Sequence, residues 1–363
     1  MNGEVLIGQG AERIPTPAIV VDMAVMEANM ERMRSFLDGG SCRLRAHAKT
    51  HKTPMIGRLQ MEYGSIGLCC ATVSEAEALV QGGLDHIFVA SEVVTRDKIL
   101  RLVSLARYAE VMVAVDDGGN VESLSRAASD AGVSLGVLVD VDVGMGRCGV
   151  RSVERCVSLA GAVHSASGLV LRGVFGYEGH AVFIPDRAER ERVGRAANAL
   201  LVEAAEGVRS EGLPIEIVTG GGTGTFDIAG TYPGITEIEA GSYIFMDDRY
   251  AALDLPFQQA LSVVATVISR PTEDTVIFDV GMKGISVERF CPRVQDTEGI
   301  TVTKLSEAHA NAEIKGGGVD PKPGDRFHLV PSHCCTTVNL YPQLAAVRDG
   351  VVEAVWPITG RGA

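Results

Sequence analysis

The chain has 363 residues, more than a single hydrophobic core usually serves, so we expect two domains or one large barrel with an addition. A hydrophobic content of 46% and a charged content of 22% are ordinary for a globular protein, while 5% aromatic residues argue against a surface that stacks sugars or single-stranded nucleic acid. The net charge of −13 argues against a nucleic-acid or anionic-membrane partner.

The N-terminal residues show no basic segment followed by an apolar one, and no later apolar run reaches the length of a membrane span. Eight cysteines are too few for a dense disulfide framework in a chain of this length, so we expect reduced thiols. These features predict a cytoplasmic protein whose partner is a small molecule.

A strand is predicted at 16–22 and a helix at 23–37, and short β-rich runs then alternate with helical patterns. The eight β-rich runs lie at 43–48, 66–71, 86–90, 110–115, 136–141, 169–175, 215–219 and 236–240. Eight strand–helix units favour a parallel (β/α)8 barrel, for which about 250 residues is typical. An open, doubly wound sheet is the alternative.

After residue 250 the sequence changes to β-branched alternation, with predicted strands at 262–269, 275–279, 299–303 and 326–330. Glycine and proline interrupt this region, and no long helical pattern occurs in it. We therefore predict an α/β protein with a barrel domain at 16–250 and a second, mostly β domain at 251–363 that also includes 1–15.

The segment 45–52 gathers two histidines and two lysines around the end of the first predicted barrel strand, and Lys49 follows that strand directly. In a barrel, groups that follow the C-terminal ends of the strands face the active site. A partly desolvated lysine amine with cationic neighbours is suited to form a Schiff base with an aldehyde cofactor, which makes Lys49 a candidate nucleophile. The alternative is a solvated basic turn at the start of a helix.

Three further candidate residues follow the fifth and sixth predicted strands. Arg147 follows the fifth strand and is suited to bind a phenolate or carboxylate of a cofactor, although a salt bridge to a nearby aspartate is the alternative. Tyr177 offers a ring to the cofactor, and His180 is a candidate acid or base. The alternative for His180 is a structural role at the start of the next helix.

A glycine-rich loop follows the seventh predicted strand, where barrels often bind phosphate. Successive glycines allow backbone N–H groups to surround an oxyanion, and threonine hydroxyls add donors. A second group of donors follows the eighth strand. The predicted phosphate ligands are Thr219, Gly221, Gly222, Thr223, Gly241, Ser242 and Tyr243.

A predicted metal site lies late in the chain, in the segment 331–339. On extended backbone, residues two apart share a face, so the imidazole of His333 and the thiolate of Cys335 are placed to bind one divalent cation. The alternative is a buried cysteine that lies near a histidine by chance.

Together these motifs resemble the fold-type III pyridoxal-phosphate enzymes related to D-threonine aldolase, 3-hydroxy-D-aspartate aldolase and the D-serine or D-threo-3-hydroxyaspartate dehydratases. The resemblance runs over nearly the whole length. Its markers lie at 16–17, 47–52, 147–149, 176–177, 219–223, 241–247 and 331–340.

The resemblance implies an alanine-racemase-like barrel with a β domain built from both ends of the chain, in a homodimer. It implies that Lys49 holds pyridoxal 5'-phosphate, that the glycine-rich loop binds the phosphate, and that Arg147 and Tyr177 face the pyridoxal ring. It also implies that His333 and Cys335 bind a divalent cation (Mn, Mg, Co or Zn) close to the substrate hydroxyl.

Two positions depart from the family pattern. Aldolases of the group often show aspartate where Cys335 stands, whereas the dehydratases show cysteine. The histidine that aldolases place several residues after the tyrosine is not in that register, since His180 is three residues after Tyr177 and Phe183 lies farther on. The catalytic base is therefore open between His180 and a metal-bound hydroxide.

The predicted function is a metal-dependent lyase that acts on D-3-hydroxy amino acids by retro-aldol cleavage, giving glycine or a substituted amino acid together with an aldehyde. A dehydratase that yields an oxo acid and ammonia is the alternative. An amino-acid racemase and a non-catalytic pyridoxal-phosphate-binding protein are more distant alternatives.

Overall fold

The computed structural model describes residues 3–316 and 318–362, and its strands form two nine-stranded sheets. The strands are β1 (Ala18–Asp22), β2 (Arg43–Leu44), β3 (Ala46–His47), β4 (Leu68–Cys70), β5 (Ile87–Glu92), β6 (Val111–Val115), β7 (Leu135–Asp140), β8 (Leu169–Gly176), β9 (Ile217–Gly220), β10 (Glu237–Ile238), β11 (Leu261–Thr272), β12 (Thr275–Phe278), β13 (Arg293–Val294), β14 (Ile300–Leu305), β15 (Ala310–Ile314), β16 (Arg326–Val330), β17 (Gln343–Arg348) and β18 (Val351–Pro357).

The helices are α1 (Gly3–Leu6), α2 (Met23–Leu37), α3 (Pro54–Glu62), α4 (Val73–Gln81), α5 (Arg96–Leu105), α6 (Gly118–Ala131), α7 (Val153–Ser165), α8 (Arg187–Ser210), α9 (Phe226–Gly230), α10 (Asp248–Ala251) and α11 (Cys334–Val338). Short 3-10 helices occur at Ala11–Arg13, Ala48–Thr50, Thr223–Thr225 and Ser242–Ile244. Over the residues that the structure describes, no helix has the length and apolar character needed to cross a bilayer.

The first sheet is parallel and forms the predicted barrel in the unit Met33–Gly241. Its strand order is β2-β10-β9-β8-β7-β6-β5-β4-β3. The strands β2 and β3 are two halves of the first predicted strand, and they pair with β10 and β4 respectively, which closes the sheet. The sequence-based prediction of a parallel barrel is confirmed.

Arg45 separates the two halves of the first strand. Its side chain is buried, and its guanidinium donates to both carboxylate oxygens of Glu237 at 2.8 and 2.9 Å. A further donor of the guanidinium reaches the carbonyl of His86 at 3.2 Å. Because a buried charge is costly unless it is paired and hydrogen-bonded, this bidentate contact compensates the arginine inside the barrel.

An apolar core lies among the barrel strands, where Phe88 and Phe175 meet edge to face with ring centroids 5.4 Å apart. Side-chain caps begin the helices α4, α6, α7 and α8. Asp117 accepts two backbone N–H groups at the start of α6, and α6 ends at Gly132 with a left-handed φ of 65°. These local signals define both ends of α6.

The second sheet belongs to the other unit, which comprises residues up to Arg32 and Ser242–Gly362. Its main strand order is β14-β15-β12-β11-β1-β17-β18, with β16 paired to β11 and β13. The strand β1 runs antiparallel to β11 and parallel to β17. The predicted strand at 16–22 therefore lies in the β-rich unit, whereas the sequence-based boundary of 16–250 had placed it with the barrel.

The central position of β1 has a physical reason in its composition. Residues 18–21 are all apolar and buried, so this strand needs neighbours on both edges and cover on both faces. Val20 and Ala18 pack in a core with Val264, Ala345 and other residues of the same unit. The sequence 16–22 indicates a strand, but it does not say which sheet supplies the neighbours.

Candidate functional site

Lys49 lies directly after β3, in the 3-10 turn Ala48–Thr50 at the C-terminal end of the barrel. Every other residue of the segment 45–52 is buried, whereas Lys49 is partly exposed. Its Nζ lies 5.4 Å from the centroid of the Tyr177 ring. The segment is therefore not a solvated basic turn, and Lys49 is the lysine whose amine meets an aromatic ring.

Lys52 has a different environment from Lys49. Its Nζ donates to the carbonyl of Lys49 at 2.7 Å and lies 3.9 Å from a carboxylate oxygen of Glu75, and both side chains of this ion pair are buried. Glu75 also accepts the N–H of Ala71 at 2.7 Å. Lys52 adopts a left-handed φ of 53°, which is uncommon for a residue other than glycine. The contacts of its amine stabilise this conformation. Its amine serves the structure of the turn.

The two histidines of the segment are also held inside the protein. Burial, followed by the charges of Lys49 and Lys52, lowers the pKa of His47 well below its ordinary value, so this ring is neutral. The Nε2 of His51 lies 3.1 Å from the side-chain oxygen of Gln60, and its Nδ1 accepts the N–H of Thr53 at 3.0 Å. His47 and His51 therefore shape the turn that presents Lys49.

The ring of Tyr177, directly after β8, has two cations near it. Lys49 is one, and the guanidinium carbon of Arg147 lies 5.7 Å from the ring centroid. The expected alternative for Arg147 was a salt bridge to an aspartate. Asp142 instead pairs with Arg151 at 3.2 Å and accepts backbone N–H groups of its own loop. Arg147 thus lies near the ring of Tyr177, at a distance typical of a cation–π contact.

His180 is exposed and its ring lies against the loop that follows β7. A Cβ atom built on Gly144 would lie 3.4 Å from Nε2 of His180. The next helix, α8, is capped by Asp186, which accepts the N–H of Glu189 at 2.8 Å. His180 is therefore not a cap of that helix, which was the structural alternative.

The glycine-rich loop after β9 is organised by a buried carboxylate, that of Glu178. This side chain accepts the N–H of Gly221 at 2.9 Å and the hydroxyl of Thr225 at 2.6 Å, and that same hydroxyl oxygen accepts the N–H of Gly222 at 3.1 Å. Gly221 has a left-handed φ of 78°, which favours glycine. Two of the predicted phosphate donors therefore bond within the protein, and the loop leads into the 3-10 helix that begins at Thr223.

Thr219 points away from the loop. Its hydroxyl donates to Glu239 at 2.9 Å, and Glu239 is buried after the eighth strand. Burial raises the pKa of Glu239 to about 7, although hydrogen bonds from Cys69 and Thr219 and the charge of Lys49 act in the opposite direction. Sequence reasoning missed Glu239, because the predicted eighth strand, 236–240, contains it, whereas the observed β10 ends at Ile238.

The sequence analysis also missed that acidic residues at the ends of β5, β6 and β7 meet in one group. Burial, followed by a hydrogen bond with Glu92, raises the pKa of Asp140 to about 9. Ligand atoms of Glu92, Asp116 and Cys148 lie within 4.8 Å of one another. These residues lie at or after the ends of different strands, so no local sequence motif indicates that they meet.

The predicted metal ligands lie in the β-rich unit, and their backbone differs from the prediction. The segment 333–335 is not extended, because α11 begins at Cys334 and only its cap, His333, has extended backbone. The side chain of Cys335 is nevertheless close enough to His333 to act on the pKa of the imidazole. Asp247 accepts the N–H of Cys334 at 2.9 Å, which fixes the start of α11.

Negative groups surround the imidazole of His333. Its Nδ1 lies 2.7 Å from a carboxylate oxygen of Glu288. Burial acts to lower the pKa of His333, but the hydrogen bonds with Cys335 and Glu288 and the charges of Cys335 and Asp247 outweigh it and raise that pKa to about 9. The same negative groups would favour a divalent cation at this place.

The three residues predicted after the eighth strand have separate surroundings. A Cβ atom on Gly241 would lie 2.6 Å from the carbonyl oxygen of His47, so glycine permits a close backbone approach there. The hydroxyl of Ser242 lies 3.7 Å from the Sγ of Cys335. Tyr243 is buried, with its ring centroid 5.5 Å from that of Phe257.

Comparison with known proteins matches both parts of the chain. The family described as "Alanine racemase, N-terminal domain" matches residues 21–249, and a serine dehydratase domain matches residues 260–347. The chain is 40% identical to the D-threonine aldolase of Arthrobacter sp and 35% identical to a 3-hydroxy-D-aspartate aldolase of Paracoccus denitrificans (strain Pd 1222). Each alignment covers 98% of this chain and 95% of the relative.

The crystal structure of the D-threonine aldolase from Filomicrobium marinum is similar with a TM-score of 0.96 and 34% identity, over 100% of this chain and 99% of that one. The resemblance that the sequence motifs indicated is thereby confirmed over the whole length. The chain belongs to the family of proteins with an alanine racemase N-terminal domain.

Proposed function

We propose that this protein is a pyridoxal-phosphate- and metal-dependent aldolase that cleaves D-3-hydroxy amino acids between Cα and Cβ. The products are glycine, or a substituted amino acid, and an aldehyde. The observation that carries the proposal is the position of Lys49, whose Nζ faces Tyr177 at the C-terminal end of the barrel while Lys52 is held by Glu75. The similarity to two proteins named as aldolases over almost their entire length supports it.

The residues present fit pyridoxal phosphate. Lys49 would hold the cofactor through its amine, Tyr177 would pack against the ring, and Arg147 would pair with a negatively charged oxygen of the cofactor. The helix that begins at Thr223 would bind the phosphate through its N-terminal backbone N–H groups, on a loop that Glu178 holds in place. When bound, the cofactor supplies an electron sink for the bond that breaks.

The donor set of the β-rich unit fits a divalent cation of borderline or soft character. An imidazole and a thiolate suit zinc or cobalt better than magnesium, which prefers oxygen ligands. His333 and Cys335 would hold the ion, and two protein ligands leave positions for water and substrate. A bound cation supplies Lewis acidity that eases loss of the proton from a hydroxyl group.

His180 is the proposed acceptor of the hydroxyl proton, because it is an exposed imidazole at the barrel end that carries Lys49 and is not used as a helix cap. Replacement by glutamine is expected to lower turnover by about 100-fold or more without releasing the cofactor. Measured turnover together with the visible absorbance of the protein separates these two effects. Unchanged turnover would assign the proton transfer to another group.

A dehydratase that yields an oxo acid and ammonia is the second candidate, and the match of residues 260–347 to a serine dehydratase domain favours it. In that reaction Lys49 would remove the α-proton. Product analysis with D-threonine, D-serine and D-3-hydroxyaspartate separates the two, since glycine with an aldehyde identifies the aldolase. Ammonia with an oxo acid as the main product would overturn the aldolase proposal.

Two further measurements test the cofactor and the metal. Borohydride reduction followed by peptide mass spectrometry is expected to find the cofactor on Lys49, and a label on Lys52 would contradict the assignment. Thorough removal of divalent ions is expected to abolish activity, and activity that survives would remove the metal from the proposal.

We also propose that the protein is a cytoplasmic homodimer. Light scattering tests the oligomeric state, and cell fractionation tests the location.

A further inference from the structure

Glu288 lies in the loop between β12 and β13, and one of its carboxylate oxygens is 2.7 Å from Nδ1 of His333. We propose that Glu288 is a positioning residue that fixes the ring of His333 for a divalent cation. The inference rests on the metal site of the proposed function and adds to it a residue that would not itself bind the ion.

The chemistry of imidazole explains why this contact matters. A neutral imidazole carries one proton, and an Nδ1–H that donates to a carboxylate leaves the lone pair on Nε2. Metal-binding histidines usually donate their second ring N–H to a carboxylate or carbonyl, which fixes the tautomer and the ring orientation and raises the basicity of the ligand. Glu288 provides this carboxylate for His333.

The backbone around Glu288 is attached to the segment that carries the proposed ligands. The N–H of Ser286 donates to the hydroxyl of Thr337 in α11 at 3.1 Å, and the hydroxyl of Ser332 donates to the carbonyl of Ser286 at 3.3 Å. The hydroxyl of Thr337 in turn donates to the carbonyl of His333 at 2.9 Å. These hydrogen bonds attach the loop to the segment of His333 at Ser286, which is two residues before Glu288.

The second oxygen of Glu288 also has a partner. A guanidinium nitrogen of Arg289 lies 3.4 Å from it, while the first oxygen faces His333. The carboxylate is thus held from two sides, although 36% of its side chain is exposed. A carboxylate held in this way is oriented toward the ring before any ion arrives, which lowers the ordering cost of binding.

Cobalt(II) is the probe for the test, because its charge-transfer absorption requires a thiolate ligand and reports on Cys335. Titration of the metal-depleted, cofactor-loaded protein is expected to show binding that is about 10- to 100-fold weaker in Glu288→Ala. Glu288→Gln is expected to lose less affinity, because its amide oxygen still accepts the Nδ1–H without the charge. The matched control is Glu298→Gln, which changes an exposed carboxylate of the same unit and should bind cobalt as the unchanged protein does.

The possible outcomes distinguish the positioning role of Glu288 from the metal site of the proposed function. Wild-type cobalt affinity in both Glu288 variants would overturn the positioning role while leaving the metal site in place. Failure of the unchanged protein to bind cobalt through a thiolate would overturn the metal site itself. Because the side chain of Glu288 is partly exposed, both variants should fold, and thermal unfolding of each variant without metal checks this.

Discussion

The Lys52–Glu75 ion pair gives the sharpest test of how the lysine-rich turn is built. Lys52→Met keeps most of the aliphatic stem but removes the charge that donates to the carbonyl of Lys49 at 2.7 Å and faces Glu75 at 3.9 Å. The left-handed φ of 53° must be adopted by either residue, so the backbone cost does not change. The substitution therefore isolates the interaction of the amine.

The expected loss of folding free energy is about 3 kcal/mol. Breaking a buried ion pair by removal of one partner costs about 3–5 kcal/mol, because the other charge stays buried without compensation. Glu75 keeps its hydrogen bond from Ala71 at 2.7 Å, which places the loss at the lower end of that range. The free energy of unfolding in urea measures it.

A double-mutant cycle with Glu75→Gln completes the test. The double variant should be more stable than the sum of the two single losses predicts, by about 1 kcal/mol or more. The reason is that it contains neither buried charge, whereas each single variant leaves one of them buried. A loss below about 0.5 kcal/mol in Lys52→Met, as surface substitutions give, would refute the reasoning. The proposed attachment of the cofactor to Lys49 should be unchanged in every variant of the cycle.

Three other substitutions test other parts of the barrel. Glu178→Gln should weaken binding of pyridoxal phosphate about 10-fold, measured by absorbance titration, because it weakens the charge-assisted bonds that hold the glycine-rich loop. Gly224→Ala should fold poorly, as judged by soluble yield and thermal unfolding, because its Cβ would lie within 2.0 Å of the carbonyl oxygen of Val182. Glu239→Gln should change how stability depends on pH: with a pKa of about 7, above the ordinary 4.5, the folded protein holds this proton more tightly than the unfolded chain. Stability should then fall by up to about 3 kcal/mol between pH 4.5 and 7, and the variant should lack that fall in urea unfolding.

Each of these predictions has a contradicting result. Wild-type cofactor affinity in Glu178→Gln would show that the loop keeps its shape without the charge. Gly118→Ala is the control for Gly224→Ala, because no atom lies within 4 Å of its Cβ, and equal stability of the two variants would contradict the steric argument. Parallel stability curves for the unchanged protein and Glu239→Gln would exclude a raised pKa at that carboxyl.

The barrel strands could be predicted because buried parallel strands leave short apolar runs between helical patterns, and this signal is local. The split of the first strand at Arg45 could not be predicted, since the carboxylate that stabilises it, Glu237, is 192 residues away. The sheet that contains β1 could not be predicted for the same reason. Its partners lie in the last third of the chain.

The residues of the candidate site also fall into two groups: those that the local sequence predicts, and those that only the fold brings together. Lys49, Arg147 and Tyr177 each follow a strand end, so barrel geometry alone suggested that they lie near one another. The acidic residues Glu92 and Asp116 follow different strands and meet only through the fold. The helical start at Cys334 was missed, because its capping contact comes from Asp247, far away in sequence.

The pairing of β1 also has a consequence for the order in which the chain folds during synthesis. The barrel is continuous in sequence, so all of its strands can leave the ribosome and pair before the β-rich unit is complete. The strand β1 emerges first but has unpaired edges until β11 and β17 follow. A nascent or prematurely terminated chain therefore exposes an apolar strand, which makes β1 the segment most dependent on chaperones or on rapid completion of translation.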